Sequence, residues 1–269
     1  IAELECRHPG ESLSTLEASP VIAGRDDPLN RLPARLDDGL VYLEKYWQAE
    51  HDVARDLATL AADPPSQGPV SADDVVSSIS NALAASGIML DPAQADAAIA
   101  AIMHRVSVLA GGPGTGKTTT VCALLAALQQ ADPHLGAVAL AAPSGKAAAR
   151  LRDSVSQVSE RMPDDLKPIV ADATTVHSLL KWQGPGTSFG YDEQHKLPFG
   201  VVVVDEASML SLPLAASLLS AIGPQTRLIL VGDPGQLVSV DAGTLLADIV
   251  SSADALQAQL PVRMLTCGR

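Results

Sequence analysis

One stretch limits the folds open to this chain more than any other: Val108-Leu-Ala-Gly-Gly-Pro-Gly-Thr-Gly-Lys-Thr-Thr-Thr-Val121. A β-rich run, Val106 to Ala110, feeds a loop of Gly111, Gly112, Pro113, Gly114, Thr115 and Gly116. Lys117, Thr118 and Thr119 then open an apolar helical pattern. The spacing satisfies G-x-x-x-x-G-K-[ST], the phosphate-binding loop. Its glycines let backbone N–H groups turn inward around a polyanion without a Cβ in the way. The helix that follows aims its positive dipole end at the same phosphates. Lys117 is placed to pair with the β- and γ-phosphates of a nucleoside triphosphate, and the Thr118 hydroxyl to ligate Mg²⁺.

The rest of the chain supplies a scaffold for such a loop. Val201-Val-Val-Val204 is four consecutive β-branched residues, which suits a strand covered on both faces in a parallel sheet. Ala137–Ala142 and Leu228–Val231 read the same way. Helical patterns lie between them, at 117–130, 145–158, 210–222 and 242–251. Strand and helix alternate, so the expected class is α/β with a parallel sheet flanked by helices. Ser71 and Asp91-Pro92 open two more helices, reaching about Ser86 and His104. Asp63-Pro-Pro-Ser-Gln-Gly-Pro69 is a breaker cluster and the expected boundary. It divides a small, mainly helical N-terminal domain (1–65) from the P-loop domain (66–269). In the first part, residues 1–38 read as short helices and turns. A helix is expected from Gly39 to Ala62, with Leu43, Trp47, Ala54, Leu57 and Ala61 on its apolar stripe.

A net charge of −13 argues at first against nucleic acid as a partner. Net charge averages over a surface, however, and a nucleic-acid track needs only a local line of donors. Cys6, Cys122 and Cys267 are far apart and odd in number, which disfavours a disulfide framework or zinc site and suits a reducing cytoplasm. No apolar run approaches the length of a membrane span.

Two acidic and amide positions sharpen the chemistry. Asp205, at the end of the 201–204 strand, is expected to hold Mg²⁺ opposite Thr118. Glu206, directly after it, is placed to orient or deprotonate a water attacking the γ-phosphate, which favours hydrolysis over phosphoryl transfer. Gln236, displayed after the 228–231 strand, can sense whether a γ-phosphate or a water occupies the site. Lys117, Asp205, Glu206 and Gln236 are therefore the candidate catalytic set.

These motifs, with Ala142-Pro-Ser-Gly-Lys-Ala-Ala-Ala-Arg-Leu151, Val204-Asp-Glu-Ala-Ser-Met209 and Gly232-Asp-Pro-Gly-Gln-Leu237, resemble motifs I, Ia, II and III of superfamily 1 helicases. The wording is similar to the RecD-like branch, the alpha subunits of exodeoxyribonuclease V. Thr174-Thr-Val-His-Ser-Leu-Leu180 and Tyr42-Leu-Glu-Lys-Tyr-Trp-Gln-Ala-Glu50 resemble segments of the same branch. The resemblance implies a RecA-like P-loop NTPase sheet, ATP and Mg²⁺ as cofactors, and Gln94 as the residue that reads adenine. It implies that Ser144, Lys146, Thr175 and His177 contact the backbone of single-stranded DNA. It also implies 5′→3′ movement and partner subunits of an exonuclease V type complex. Such motors use a second RecA-like domain with arginines that reach the γ-phosphate. The sequence stops at Arg269, about where that domain would begin, and neither Arg263 nor Arg269 has motif context. The 269 residues are therefore expected to bind ATP but hydrolyse it poorly. Alternatives left open are an AAA+ type remodeller, which shares the Gly-Gly-Pro-Gly-Thr-Gly-Lys-Thr wording, and a non-catalytic subunit stabilised by nucleotide.

Overall fold

The computed structural model describes residues 15–16, 18–27, 32–65, 70–184, 188–236, 245–252 and 260–266. Cys6, Leu237, Cys267 and Arg269 lie outside them. A six-stranded sheet is built from β4 (Val106–Gly111), β5 (Val138–Ala142), β6 (Thr174–Thr175), β7 (Val201–Val204), β8 (Arg227–Gly232) and β9 (Val262–Leu265). Its order is β6-β5-β7-β8-β4-β9, and every pairing is parallel.

The pleat divides the sheet's side chains between two apolar layers. Leu109, Val138, Leu140, Val201, Val203, Ile229 and Val231 face one layer, with α2 (Ala72–Ala85), α3 (Pro92–Met103), α4 (Lys117–Ala131) and α5 (Gly145–Arg161). Val106, Val108, Ala139, Ala141, Val202, Val204, Leu228 and Leu230 face the other, with α1 (Glu44–Ala62), α6 (Val176–Leu179), α7 (Leu212–Ala221) and α8 (Leu245–Ser251). All four residues of β7 are fully buried. Cys122 is buried in the first layer as a free thiol, and desolvation pushes its pKa up to about 12, so it is an inert packing residue.

A second, three-stranded sheet of order β1-β2-β3 lies in the N-terminal part, from β1 (Ile22–Ala23), β2 (Ala34–Asp37) and β3 (Leu40–Leu43). Here the expectations need correction. Residues 40–43 are not the start of a helix but pair antiparallel with 34–37. Asp38 (φ 48°) and Gly39 (φ 78°) are both left-handed, as a two-residue hairpin turn of this twist requires. The helix starts only at Glu44, and its buried stripe is Ala49, Val53, Leu57 and Leu60. Leu43 is exposed and Ala54 lies on the solvent side. Helix α1 packs on α7 and joins the sheet's second layer, so the apolar core continues across the Pro-rich segment at 63–69. Strand β9, at the sheet's edge beside β4, had no counterpart in the sequence reading.

The centre of the small sheet is Arg35, with no solvent exposure. Its guanidinium donates to both carboxylate oxygens of Glu44 at 2.8 Å. It also donates to the carbonyls of Gly24 at 2.7 Å, Asp27 at 2.9 Å and Arg25 at 3.1 Å. One face of it lies 4.2 Å from the centre of the Trp47 ring, whose indole N–H donates to Asp37. Trp47 is therefore a structural residue of this sheet.

Candidate active site

The carboxyl ends of the parallel strands gather the motifs. At the end of β4, Gly114 (φ 77°) and Gly116 (φ 79°) adopt left-handed backbone that only glycine takes without strain. Thr115 is buried, its hydroxyl donating to the Gly112 carbonyl at 2.9 Å. Lys117 begins α4, and its Nζ donates to the carbonyls of Gly111 at 2.7 Å and Gly112 at 2.8 Å. Thr118 and Thr119 follow half-buried in the first turn. A Cβ on Gly111 would lie 2.7 Å from Thr115 Oγ1, so the loop is closed against itself where β4 ends.

Gln94 meets this loop from α3. The sequence puts it near the start of β4, but in space it belongs to the loop's far side. Asp91 and Gln94 form a reciprocal capping box: Gln94 N–H donates to Asp91 at 2.9 Å, and Asp91 N–H to Gln94 Oε1 at 3.0 Å. Gln94 Nε2 then donates to the Thr115 carbonyl at 3.3 Å. The side chain is buried, and a Cβ on Gly116 would lie 2.5 Å from its Nε2. The amide thus ties the α3 start to the phosphate loop.

Strand β7 delivers Asp205 and Glu206. Burial raises the Asp205 pKa above the ordinary aspartate value, and the Glu206 charge adds to this. The Glu206 backbone N–H and the Lys117 ammonium act in the opposite sense, which puts Lys117 within electrostatic reach of Asp205. Glu206 sits at φ 52°, ψ 38°, left-handed backbone that costs a non-glycine on the order of 1 kcal/mol or more. Such strain persists where neighbours over-determine it, which is common at reacting sites.

The strand order explains Gln236. Strand β8 lies between the P-loop strand β4 and the Asp-Glu strand β7, so the turn after β8 emerges between the two. That turn is shaped by Asp233, whose carboxylate accepts from Gly235 N–H and whose carbonyl accepts from Gln236 N–H; the Gln236 side chain is exposed. Gly232 is required there for a different reason. A Cβ on it would lie 2.6 Å from Leu246 and 3.2–3.3 Å from the backbone nitrogens of Ser208 and Ala207. The end of β8 thus packs directly on the segment after Glu206, a contact that no motif spacing announced.

The four candidate strand-contacting residues fall on the neighbouring ends of β5 and β6, where Ala142 is in register with Thr175. Ser144 N-caps α5, accepting from Ala147 N–H at 3.2 Å, and Lys146 is exposed in that helix's first turn. Thr175 N-caps α6, accepting from Ser178 N–H at 3.1 Å and donating to the Ser178 hydroxyl at 2.8 Å. Both threonine hydroxyl functions are therefore engaged locally. The His177 ring packs edge-on to Trp182 at 5.6 Å and lies 6.2 Å from Phe189. At the opposite pole Arg227 begins β8, buried near Asp132. Arg263 lies on β9, close enough to His104 that its charge, after burial, helps lower that imidazole's pKa.

Among the described residues no three His, Cys, Asp or Glu gather into a metal cluster. Thr118 and Asp205 offer two hard oxygen donors, which suits a cation that keeps waters and phosphate oxygens as its remaining ligands. Nor is any helix of the described residues long and apolar enough to cross a membrane.

A parallel sheet carrying this loop, with the acidic strand one removed from the loop's own strand, defines a P-loop NTPase fold. The chain belongs to the family described as AAA domain, whose model matches residues 94–242. Within that fold its sequence is similar to RecD proteins. It is 42% identical over 262 residues to the RecBCD enzyme subunit RecD of Mycobacterium tuberculosis, covering 94% of this chain and 43% of that protein. It is 34% identical over 254 residues to the ATP-dependent RecD2 DNA helicase of Deinococcus radiodurans, covering 93% of this chain and 32% of that one. The chain thus spans less than half the length of these relatives. Among solved structures, the Pif1 helicase from Candida albicans aligns with 66% of this chain and 40% of its own, at 18% identity and a TM-score of 0.39.

Proposed function

We propose that this chain carries the nucleotide-binding half of a RecD-type, ATP-driven DNA helicase or translocase acting in double-strand break repair and recombination. The observation that supports it most is the position of the Gln236 turn. It emerges between the loop that holds Lys117 and the strand that holds Asp205 and Glu206, and β5 and β6, whose ends carry Ser144 and Thr175, follow on the far side of that acidic strand. A change at the phosphate end can thereby be passed to a bound strand through neighbouring strand ends.

In this reading residues 111–119 cradle the phosphates of ATP, and Lys117 pairs with the β- and γ-oxygens. Thr118 and Asp205 hold Mg²⁺, which when bound neutralises phosphate charge. Glu206 orients the attacking water and takes its proton, and Gln236 senses the γ-position. Gln94, already fixed against the loop, presents its remaining edge to adenine. Ser144, Lys146, Thr175 and His177 line the strand track, with backbone amides at the two helix starts serving as phosphate donors. The division into a 1–65 N-terminal part and a 66–269 RecA-like motor part belongs to the same proposal. So do cytoplasmic placement and partner subunits of an exonuclease V type. Arg227 begins β8 at the end opposite the loop, and the Arg263 charge neighbours His104, so this reading assigns the arginine that completes the γ-phosphate site to a second RecA-like domain. By themselves the 269 residues then bind ATP and turn it over slowly, since such an arginine is worth roughly a thousandfold or more. An AAA+ remodeller is not favoured by the RecD and helicase relatives.

ATP hydrolysis by the full-length protein, measured with and without single-stranded DNA, tests this. Strong stimulation by single strands is expected, abolished in both Lys117→Ala and Glu206→Gln. Hydrolysis indifferent to DNA would favour a nucleotide-stabilised assembly subunit instead.

A further inference from the structure

Beside the proposed strand track stands a group of side chains that the nucleotide chemistry does not use. Trp182 is 47% exposed, although an indole of its size gains most from burial. Exposure alone would mean little. What singles out Trp182 is how firmly the chain holds it there. Its backbone N–H donates to the His177 carbonyl at 2.9 Å, and its ring is braced edge-on by the His177 imidazole. The residue before it, Lys181, sits at φ 55°, left-handed backbone that a lysine adopts only at a cost. That conformation is locked from behind. Leu180, fully buried, accepts from the N–H groups of Gly190 and Tyr191, and a Cβ on Gly190 would lie 2.8 Å from Lys181 Cβ. The Lys181 ammonium lies 4.7 Å from the centre of the Tyr191 ring. A strained turn, a buried anchor and a bracing ring together present one aromatic face and a neighbouring cation at the end of the short helix that Thr175 caps.

We propose that the Trp182 indole is a stacking platform for a base of single-stranded nucleic acid. The inference rests on the strand track proposed above and adds to it a contact of a different kind. Ser144, Lys146 and Thr175 address the sugar–phosphate chain, whereas Trp182 addresses the flat face of a base. Every base offers such a face, so the contact is tolerant of sequence, as a strand-following motor requires. It also suits a chain with a net charge of −13, because stacking does not draw on positive charge.

The test is binding of a labelled oligothymidylate to the full 269-residue chain, alongside the same strand with abasic sites. Stacking of one base predicts that Trp182→Ala weakens oligothymidylate binding by about fivefold to a hundredfold. Trp182→Phe should restore most of that loss. On the abasic strand, wild type and Trp182→Ala should bind alike. Intrinsic fluorescence provides a readout independent of affinity, since Trp47 is the only other tryptophan. Oligothymidylate should quench the wild type, and the quench should vanish in Trp182→Phe while binding persists. If wild type binds the strand but Trp182→Ala binds it equally well, the stacking proposal is overturned and the track survives. An equal loss on normal and abasic strands would make Trp182 structural and overturn it too. If wild type binds no single strand at all, the track falls and the platform with it.

Discussion

The two sheets of this protein are stabilised in opposite ways. The six-stranded sheet is held by aliphatic side chains that alternate between two covered faces, and it keeps its polar residues at the strand ends. The three-stranded sheet is held by a cation: Arg35, wholly buried, satisfies a carboxylate and three carbonyls at once. An aliphatic core tolerates small errors of shape, because each lost contact is cheap. A buried guanidinium does not, because removing it strands every acceptor it served. The site chemistry rests on the first kind of core, and the second kind fixes the N-terminal hairpin onto α1.

The largest expected effect therefore lies far from the phosphates. Arg35→Met should cost about 3–5 kcal/mol of stability, the range for breaking a buried ion pair from one side. Nucleotide affinity at the P-loop should stay within about twofold wherever the chain remains folded, since the two sites share no partner. Urea denaturation with a parallel nucleotide titration checks both halves; a large loss of affinity in folded protein would break the separation drawn here.

Gly116→Ala acts on the other core. Left-handed backbone costs an alanine about 1–2 kcal/mol, and the new methyl group would displace the Gln94 amide from Thr115. Weaker nucleotide binding and a modest fall in melting temperature are expected together. A variant of unchanged affinity would show that the Gln94 link is not part of the phosphate loop's support.

What the sequence made legible follows the same division. Lys117, Thr118, Asp205, Glu206 and Gln236 were legible as candidates because phosphate chemistry demands particular residue types at short spacing on strand ends. Val201–Val204 announced a central strand because four β-branched residues have no other comfortable place. Arg35 could not be found this way: its acceptors come from residues 24, 25, 27 and 44, and no period links them. Asp38-Gly39 did carry a hairpin signal, but the helical pattern that follows drew the helix boundary back over it. Strand β9 was missed because Val262-Arg-Met-Leu265 is short and half-exposed, and only its pairing with β4 makes it a strand. Asp91 was legible as a cap; the reciprocal bond from Gln94 and the Gln94 bond to Thr115, 21 residues away, were not.

The smallest effect concerns His104, between α3 and β4. Burial, with Arg263 nearby, lowers its pKa below the ordinary 6.5. The folded state therefore binds fewer protons than the unfolded one between the lowered value and about 6.5. Its contribution is full above that upper limit and is lost as pH falls through the window. His104→Asn should flatten the acid side of the stability profile, by less than either change above. A profile unchanged by the substitution would mean that the imidazole is solvated in the folded protein.

The central claim is that Lys117 and the strand ends around it form a nucleoside triphosphate site. Isothermal titration of the chain with ATP and Mg²⁺ tests it most directly, comparing wild type with Lys117→Ala. The account predicts saturable one-site binding, weakened by about tenfold to a hundredfold in the variant, as loss of a charge-assisted contact to phosphate implies. Equal affinity in the two proteins would contradict it.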